Sequence, residues 1–164
     1  MHAHITRTAH RRHRARPSAI TSDPWLWATV GGGAFPSGRP SAKPYGKWLW
    51  FLPLRALDAG WQLVEKAVHE GKLGPIAKVA TLGNPFDGDP TRRPVVIFTE
   101  DCNDKEDIHR VLVALRDLGI SDALAYKTHE ATRLGEYGDR VSTYTSPTGT
   151  TTLVRRTPRY VAPS

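Results

Sequence analysis

The sequence predicts an α+β fold in which a mixed or antiparallel sheet carries two main helices on one face. The expected elements follow the order strand, strand, helix, strand, strand, helix, strand, strand, strand. Strands outnumber helices and come in adjacent pairs, which disfavours a doubly wound parallel sheet. Each helix has a single apolar stripe, as expected of a helix that packs on a sheet through one side.

The first strand is expected at residues 24–30, PWLWATV, where Trp25 and Trp27 share a face. A loop rich in Gly and Pro separates it from a central strand, helix and strand unit at residues 46–81. The central strand is apolar on both faces, as in a covered strand, with Trp48, Trp50 and Leu52 on one face and Leu49 and Phe51 on the other. The helical stripe is formed by Leu57, Trp61, Val64 and Val68, and Gly71 supplies a stop.

The second half of the chain begins with the clearest strand, PVVIFTED at residues 94–101. A helix follows, for which Asn103 is the expected N-cap with Glu106 three residues later, and Gly119 ends it. Residues 123–129, ALAYKTH, form the next expected strand. A final hairpin joins residues 140–146 and 150–156 through a turn at residues 147–149.

With 164 residues, the chain is expected to form one domain at residues 23–160, after a basic tail at residues 1–22. Cys102 is the single cysteine, which excludes an internal disulfide framework and is interpreted as a non-catalytic thiol. No apolar run is long enough to span a bilayer, and the first residues lack the apolar core of a secretory signal. We therefore expect a cytoplasmic protein without membrane association.

The N-terminal tail carries most of the net charge. Five arginines precede the first acidic residue, Asp23, and account for five of the seven excess positive charges. A disordered, solubilising extension is the expected role, and salt-sensitive binding of a polyanion such as RNA is the alternative. The tail histidines lack the fixed Cys/His spacing of a structural metal site, so no metal or other cofactor is predicted.

Four blocks of sequence resemble a known family. They are GKWLWFLP before a helix with a central Trp, then KLGPIAKVAT, RPVVIFTEDCNDKEDIHRVLVALRDLGI and LAYKTHEATRLGEY. In this order they resemble the basophilic-leukaemia-expressed proteins, also described as phosphothreonine lyase domain proteins, over roughly residues 25–137. The resemblance implies a curved antiparallel sheet backed by helices, similar to the fold of the cap-binding translation initiation factor 4E. If the chain is an enzyme, it implies a carbon–oxygen lyase that acts on phosphate.

The first candidate site is the segment YKTHEATRLGEYGDR at residues 126–140. In an extended strand, Lys127 and His129 project from the same face about 6 to 7 Å apart. Elimination of phosphate from phosphothreonine needs a base for the Cα proton, an acid for the leaving oxygen and cations for the dianion. A lysine with a depressed pKa can be the base and a histidine the acid. Lys127 and His129 also resemble the Lys-x-His pair of phosphothreonine lyase effectors.

Lys78 is the third catalytic candidate, because a lysine among apolar residues of a central strand needs an acidic partner, a cavity or a bound anion. The alternative is that its face of the strand points into water. Arg133, Arg140 and Tyr126 are expected to bind the phosphate. The alternative for Lys127 and the two arginines is an ordinary solvated edge, with the acidic residues Glu130, Glu136 and Asp139 as partners.

The five tryptophans offer a further hypothesis, since stacked aromatic rings suit nucleotides and single-stranded nucleic acid. Trp48, Trp50 and Trp61 recur at the spacing of the other apolar residues and are expected in the core. Trp25 and Trp27 are less firmly assigned to the core. The sequence thus predicts a phosphate-recognising domain with a phosphorylated peptide or nucleotide as ligand. Phosphothreonine-lyase-like elimination is one hypothesis, and a non-catalytic nucleotide-, RNA- or protein-binding module is the alternative. The oligomeric state is not predicted.

Overall fold

A computed structural model of the chain describes residues 15–32, 43–85, 88–130 and 142–156. The described residues form one curved antiparallel sheet and two α-helices, which confirms the predicted α+β class and the order of the elements. The strands are β1 (Trp25–Thr29), β2 (Gly46–Pro53), β3 (Ile76–Ala80), β4 (Arg92–Thr99), β5 (Leu124–Thr128), β6 (Tyr144–Ser146) and β7 (Val154–Arg155). The helices are α1 (Leu54–His69) and α2 (Lys105–Asp117). The strands lie in the order β1-β3-β4-β2-β5-β6-β7.

Both helices pack on one face of the sheet and cover the main core. Trp48 and Trp50 of β2 and Trp61 of α1 are buried there, as the sequence predicts. The indole N–H of Trp48 donates to the Ile108 carbonyl in α2, and that of Trp50 donates to the Asp122 carboxylate at 2.7 Å. The tryptophans of the central strand therefore hold α2 and the turn after it against the sheet.

The opposite face of the sheet carries a smaller apolar cluster of Tyr45, Ile76, Val96 and Phe98, against which Trp25 and Leu49 pack. Neither described helix lies over it, and we call it the open face. Phe51 and Trp27 are 40% and 41% exposed on this side. The prediction that β2 is covered on both faces is therefore wrong at Phe51, because the helices pack on the other face alone.

The helix ends follow the sequence signals with one exception. Gly71 and Gly119 adopt φ of 73° and 88° just after the two helices, the left-handed conformation that ends a helix most easily at glycine. The N-cap of α2 is Asp104, whose carboxylate accepts a hydrogen bond from the Asp107 N–H, and not the predicted Asn103. The N–H of Asn103 instead donates to the Asp101 carboxylate in the preceding turn. Neither described helix combines the length and apolarity needed to cross a membrane.

The last residues of the basic segment pack against α1. A short 3₁₀ helix, Pro17–Ala19, lies beside Asp58, whose carboxylate accepts hydrogen bonds from the Ser18 N–H and hydroxyl and from Arg16. These bonds hold the pKa of Asp58 below its usual value, although burial acts in the opposite direction. The packed structure thus includes Arg16 and Ser18, while residues 1–14 lie outside the described part.

Candidate functional site

Three lysines from three strands project from the open face: Lys47 on β2, Lys78 on β3 and Lys127 on β5. Successive side chains of a strand point to opposite faces. Each lysine alternates with residues that pack under the helices, namely Trp48, Ala77, Val79 and Tyr126. The sheet therefore collects on one face three cations that are far apart in the sequence.

Lys47 and Lys127 lie directly opposite each other in the antiparallel pairing of β2 with β5. Such residues have Cβ atoms about 4.5 to 5.5 Å apart, and like charges in this position repel. Lys47 is 8% exposed and Lys127 is 6% exposed. Burial lowers the pKa of Lys47 to about 8, with further contributions from the positive charges of Lys78 and Lys127. No described carboxylate forms an ion pair with Lys47.

Lys78 is partnered by aromatic rings. Its amine lies 3.8 Å from the ring centre of Trp25, 5.2 Å from that of Trp27 and 5.8 Å from that of Phe98. Such rings attract a cation electrostatically without neutralising it, and burial lowers the pKa of Lys78. Lys78 is therefore half-buried among aromatic residues, and this aromatic surrounding was not predicted from the sequence.

The two lysines predicted as catalytic share a face but are not neighbours. Lys78 pairs with Val96 of β4, Val96 pairs with Leu49 of β2, and Leu49 pairs with Ala125 of β5. The residue of β5 level with Lys78 is therefore Ala125, which lies two residues before Lys127. Three strand spacings put β3 and β5 about 14 Å apart. Lys47 lies on β2, one of the two strands between β3 and β5, and interacts electrostatically with both lysines. It is the central member of the group, and a ligand that contacts all three lysines has to lie over β2.

His129 lies at the end of β5, beyond Lys127. Its ring stacks on Tyr45 with ring centres 4.4 Å apart, and the backbone N–H of His129 donates to the Tyr45 carbonyl at 2.9 Å. A cavity of about 420 Å³ opens beside this pair. It is lined by Pro44, Tyr45, Cys102, Asn103, Thr128, His129 and Glu130. Burial raises the pKa of the Cys102 thiol, and Asp101 adds to the effect, so that the cavity does not favour a thiolate.

Tyr126 is separated from the three lysines by the sheet itself. Its ring is fully buried on the helix-covered face, edge-on to Trp48, and its hydroxyl lies 2.6 Å from the Thr99 hydroxyl. Burial raises the pKa of the Tyr126 hydroxyl. Gly46 is required beside it, because a Cβ atom there would collide with the hydroxyl and ring of Tyr126. The other two predicted phosphate ligands, Arg133 and Arg140, lie outside the described residues.

Lys47 is the residue of this group that the sequence reasoning missed. The signal was present, because Lys47 precedes Trp48 and so shares a face with Leu49 and Phe51 in a strand of period two. The partnership of Lys47 with Lys127 was not visible, since it depends on the pairing of β2 with β5.

The family model of basophilic leukemia-expressed protein Bles03 matches residues 43–135. The match covers more than half of the chain. The chain belongs to this family. The matched range of the Bles03 model contains β2 to β5, both helices and all three lysines of the open face, whereas β1 lies before it and β6 and β7 lie after it. The resemblance stated from the four sequence blocks is confirmed. The likeness to the fold of initiation factor 4E stays a prediction.

Proposed function

We propose that the open face of this Bles03-family domain binds a phosphorylated ligand through Lys47, Lys78 and Lys127. The observation that carries the proposal is the clustering of Lys47 and Lys78 with a third lysine, while no described carboxylate pairs with either of the first two. Buried charges are normally paired, and leaving one unpaired costs several kcal/mol. A phosphate dianion supplies the missing negative charge.

The lowered pKa of Lys47 gives binding a defined pH dependence. Near pH 8 about half of the Lys47 amines are unprotonated in the ligand-free protein. A dianion beside the amine favours its charged form, so that phosphate binding takes up protons at this pH. We therefore expect affinity to fall as the pH rises above 8.

Elimination is the reaction that this arrangement supports best. Lys47, with its pKa of about 8, is a better base than a lysine of ordinary pKa. In the fraction of complexes in which Lys47 is unprotonated, its amine would remove the Cα proton of a phosphothreonine residue, and the electron pair would form the Cα–Cβ double bond as the Cβ–O bond breaks. His129, as predicted from the sequence, would donate a proton to the leaving phosphate, while Lys78 and Lys127 hold the dianion.

A nucleotide is the alternative ligand, and Trp27 is the observation that favours it. Its ring is 41% exposed, and Lys78 lies 5.2 Å from the ring centre. A base stacked on Trp27 would place its phosphate beside Lys78, and such stacking contributes about 1 to 3 kcal/mol for each base. This reading needs no catalytic base, so that Lys47 would serve only as a cation.

The binding test is a calorimetric titration with a phosphothreonine peptide, its unphosphorylated counterpart and adenosine monophosphate. We expect the phosphothreonine peptide to bind, and Lys47→Met to weaken binding at least about tenfold, because a charged hydrogen bond contributes about 1.5 to 3 kcal/mol. Lys66→Met is the matched control, since the Lys66 side chain is 77% exposed on α1. Equal affinity for the phosphorylated and the unphosphorylated peptide, or an unchanged affinity in Lys47→Met, would contradict the proposal. Stronger binding of the nucleotide favours the alternative.

The same phosphothreonine peptide tests catalysis. Mass spectrometry after incubation distinguishes loss of the elements of phosphoric acid, which leaves an alkene, from hydrolysis, which leaves threonine. Alkene formed by the native protein and not by Lys47→Met supports elimination. Intact peptide reduces the proposal to binding alone.

A further inference from the structure

We propose that the Lys47 amine is a nucleophile that forms an imine with small phosphorylated aldehydes, and that the other lysines of the open face recruit the phosphate. This inference rests on the proposed function for recruitment of the ligand. It adds a covalent site and a substrate class to it.

The surroundings of Lys47 are those that activate a lysine nucleophile. An amine reacts only when unprotonated, and burial beside other cations favours that form. Lys127 faces Lys47 from β5 and Lys78 faces it from β3. From β4 the neighbour is the ring of Phe98, whose centre lies 6.0 Å from the amine. Tyr45 and His129, which stack on each other, lie just before β2 and just after β5.

The unprotonated fraction sets Lys47 apart from surface lysines. With a pKa of about 8, roughly a quarter of the Lys47 amines are free at pH 7.5, against about one in a thousand at the ordinary value of 10.5. Lys78 is a weaker candidate, because its amine lies 3.8 Å from the ring centre of Trp25, a contact that favours the charged form. Because Lys47 is only 8% exposed, a small aldehyde is the suitable reactant.

The reaction is balanced without an oxidant or metal. The Lys47 nitrogen attacks the carbonyl carbon, and the carbonyl electron pair moves to oxygen to form a carbinolamine. Loss of the hydroxyl group and of the nitrogen proton as water then forms the carbon–nitrogen double bond. Ammonium groups of Lys78 and Lys127 hold the phosphate on either side of β2, where Lys47 projects.

The test uses glycolaldehyde phosphate with borohydride, which reduces an imine to a stable secondary amine, and mass spectrometry of the digested protein. We expect labelling of Lys47 at least about tenfold faster than that of Lys66, the internal control in the same digest. Glycolaldehyde without phosphate should label Lys47 more slowly, because Lys78 and Lys127 no longer recruit it, and inorganic phosphate should compete with the phosphorylated aldehyde. The rate at Lys47 should level off above about pH 8, whereas the rate at Lys66 should keep rising toward pH 10.

Two variants distinguish the role of Lys47 as a nucleophile from the role of Lys127 as a neighbouring cation. Lys47→Arg replaces the amine by a guanidinium, which forms no imine under these conditions, and should abolish labelling at this position. Lys127→Met removes a neighbouring cation, which raises the pKa of Lys47, so that labelling at pH 7.5 should slow and its pH profile should shift upward. Circular dichroism confirms that both variants fold.

Equal labelling of Lys47 and Lys66, or equal reaction with and without the phosphate group, overturns the inference. If inorganic phosphate binds in a calorimetric titration but Lys47 stays unlabelled, imine formation is wrong and the proposed function stands. If phosphate neither binds nor competes and Lys47 stays unlabelled, both proposals are wrong.

Discussion

Replacing Lys47 with methionine is expected to stabilise the ligand-free protein at pH 7. The native amine is buried, and its pKa is lowered from 10.5 to about 8, chiefly by burial. Each pH unit of pKa change corresponds to about 1.36 kcal/mol, so that keeping Lys47 protonated in the folded state costs about 3 kcal/mol. Methionine retains an unbranched apolar stem without the charge, and Lys47→Met should recover most of this free energy.

The stabilisation by Lys47→Met should decrease as the pH rises above about 8. Below about pH 8 Lys47 is protonated in both the folded and the unfolded protein, and the full cost is present. Between about pH 8 and 10.5 the folded protein has released the proton while the unfolded chain retains it. Because the unfolded state binds more protons there, the stability of the native protein rises with pH. The advantage of the variant should therefore shrink across this window.

Urea unfolding followed by tryptophan fluorescence measures this difference at pH 7, 8, 9 and 10. A gain of about 3 kcal/mol corresponds to an increase of roughly 6 to 12 °C in the unfolding temperature for a domain of this size. Lys66→Met is the control, with a difference from the native protein near zero at every pH. A Lys47→Met variant that is no more stable at pH 7, or whose advantage does not change with pH, would refute the account of Lys47 as a buried cation without a carboxylate partner among the described residues.

Three further predictions concern the scaffold. Gly46→Ala should lower the free energy of unfolding in urea by about 2 kcal/mol or more, because the added methyl group collides with the Tyr126 ring; an unchanged value would contradict the packing described here. Arg116→Met should lower the free energy of unfolding by about 2 kcal/mol and speed amide hydrogen exchange in β6 and β7. The Arg116 guanidinium donates to three oxygen atoms of that hairpin and to the Ile120 and Asp122 carbonyls before β5. Asp58→Asn should cost about 1 kcal/mol near pH 7 and speed proteolysis beside Ser18. Since the pKa of Asp58 is lowered by folding, the native protein loses this contribution as the pH falls below 3.8, and the two proteins should converge in acid.

The elements of this fold were predictable because their signals are local. A period of two through Trp48 and Trp50, a helical stripe through Trp61 and a glycine after each helix predict the observed strand and helices. The order of strands was not predictable, since β4 lies between β3 and β2 through contacts distant in sequence. The N-cap of α2 was misassigned for a related reason. Asn103 and Asp104 are both good caps, and the preceding turn, fixed by the bond from the Cys102 N–H to the Pro44 carbonyl, selects Asp104.

The candidate site was predictable only in part. Lys78 and Lys127 stood out because each interrupts an apolar strand, and both project from the open face. Lys47, next to Trp48, was not predicted as a site residue, although the same alternation of side chains places it on the open face. Tyr126 was assigned to the phosphate, yet the rule that puts Lys127 and His129 on one face of the strand puts Tyr126 on the other. Its partner, Thr99, comes from a strand that no local pattern connects with it.

The two faces of the sheet satisfy their polar groups in different ways. Under the helices, Trp48, Trp50 and Tyr126 each have a hydrogen-bond partner, whereas the buried indole N–H of Trp61 has none among the described residues. On the open face, Lys47 lowers the stability of the ligand-free protein, and an apolar side chain would serve the fold better. Under the proposed function, a bound anion should offset part of that cost, because it favours the charged form of the amine. Phosphate should therefore raise the unfolding temperature of the native protein more than that of Lys47→Met, and an equal increase in both would show that the anion binds elsewhere.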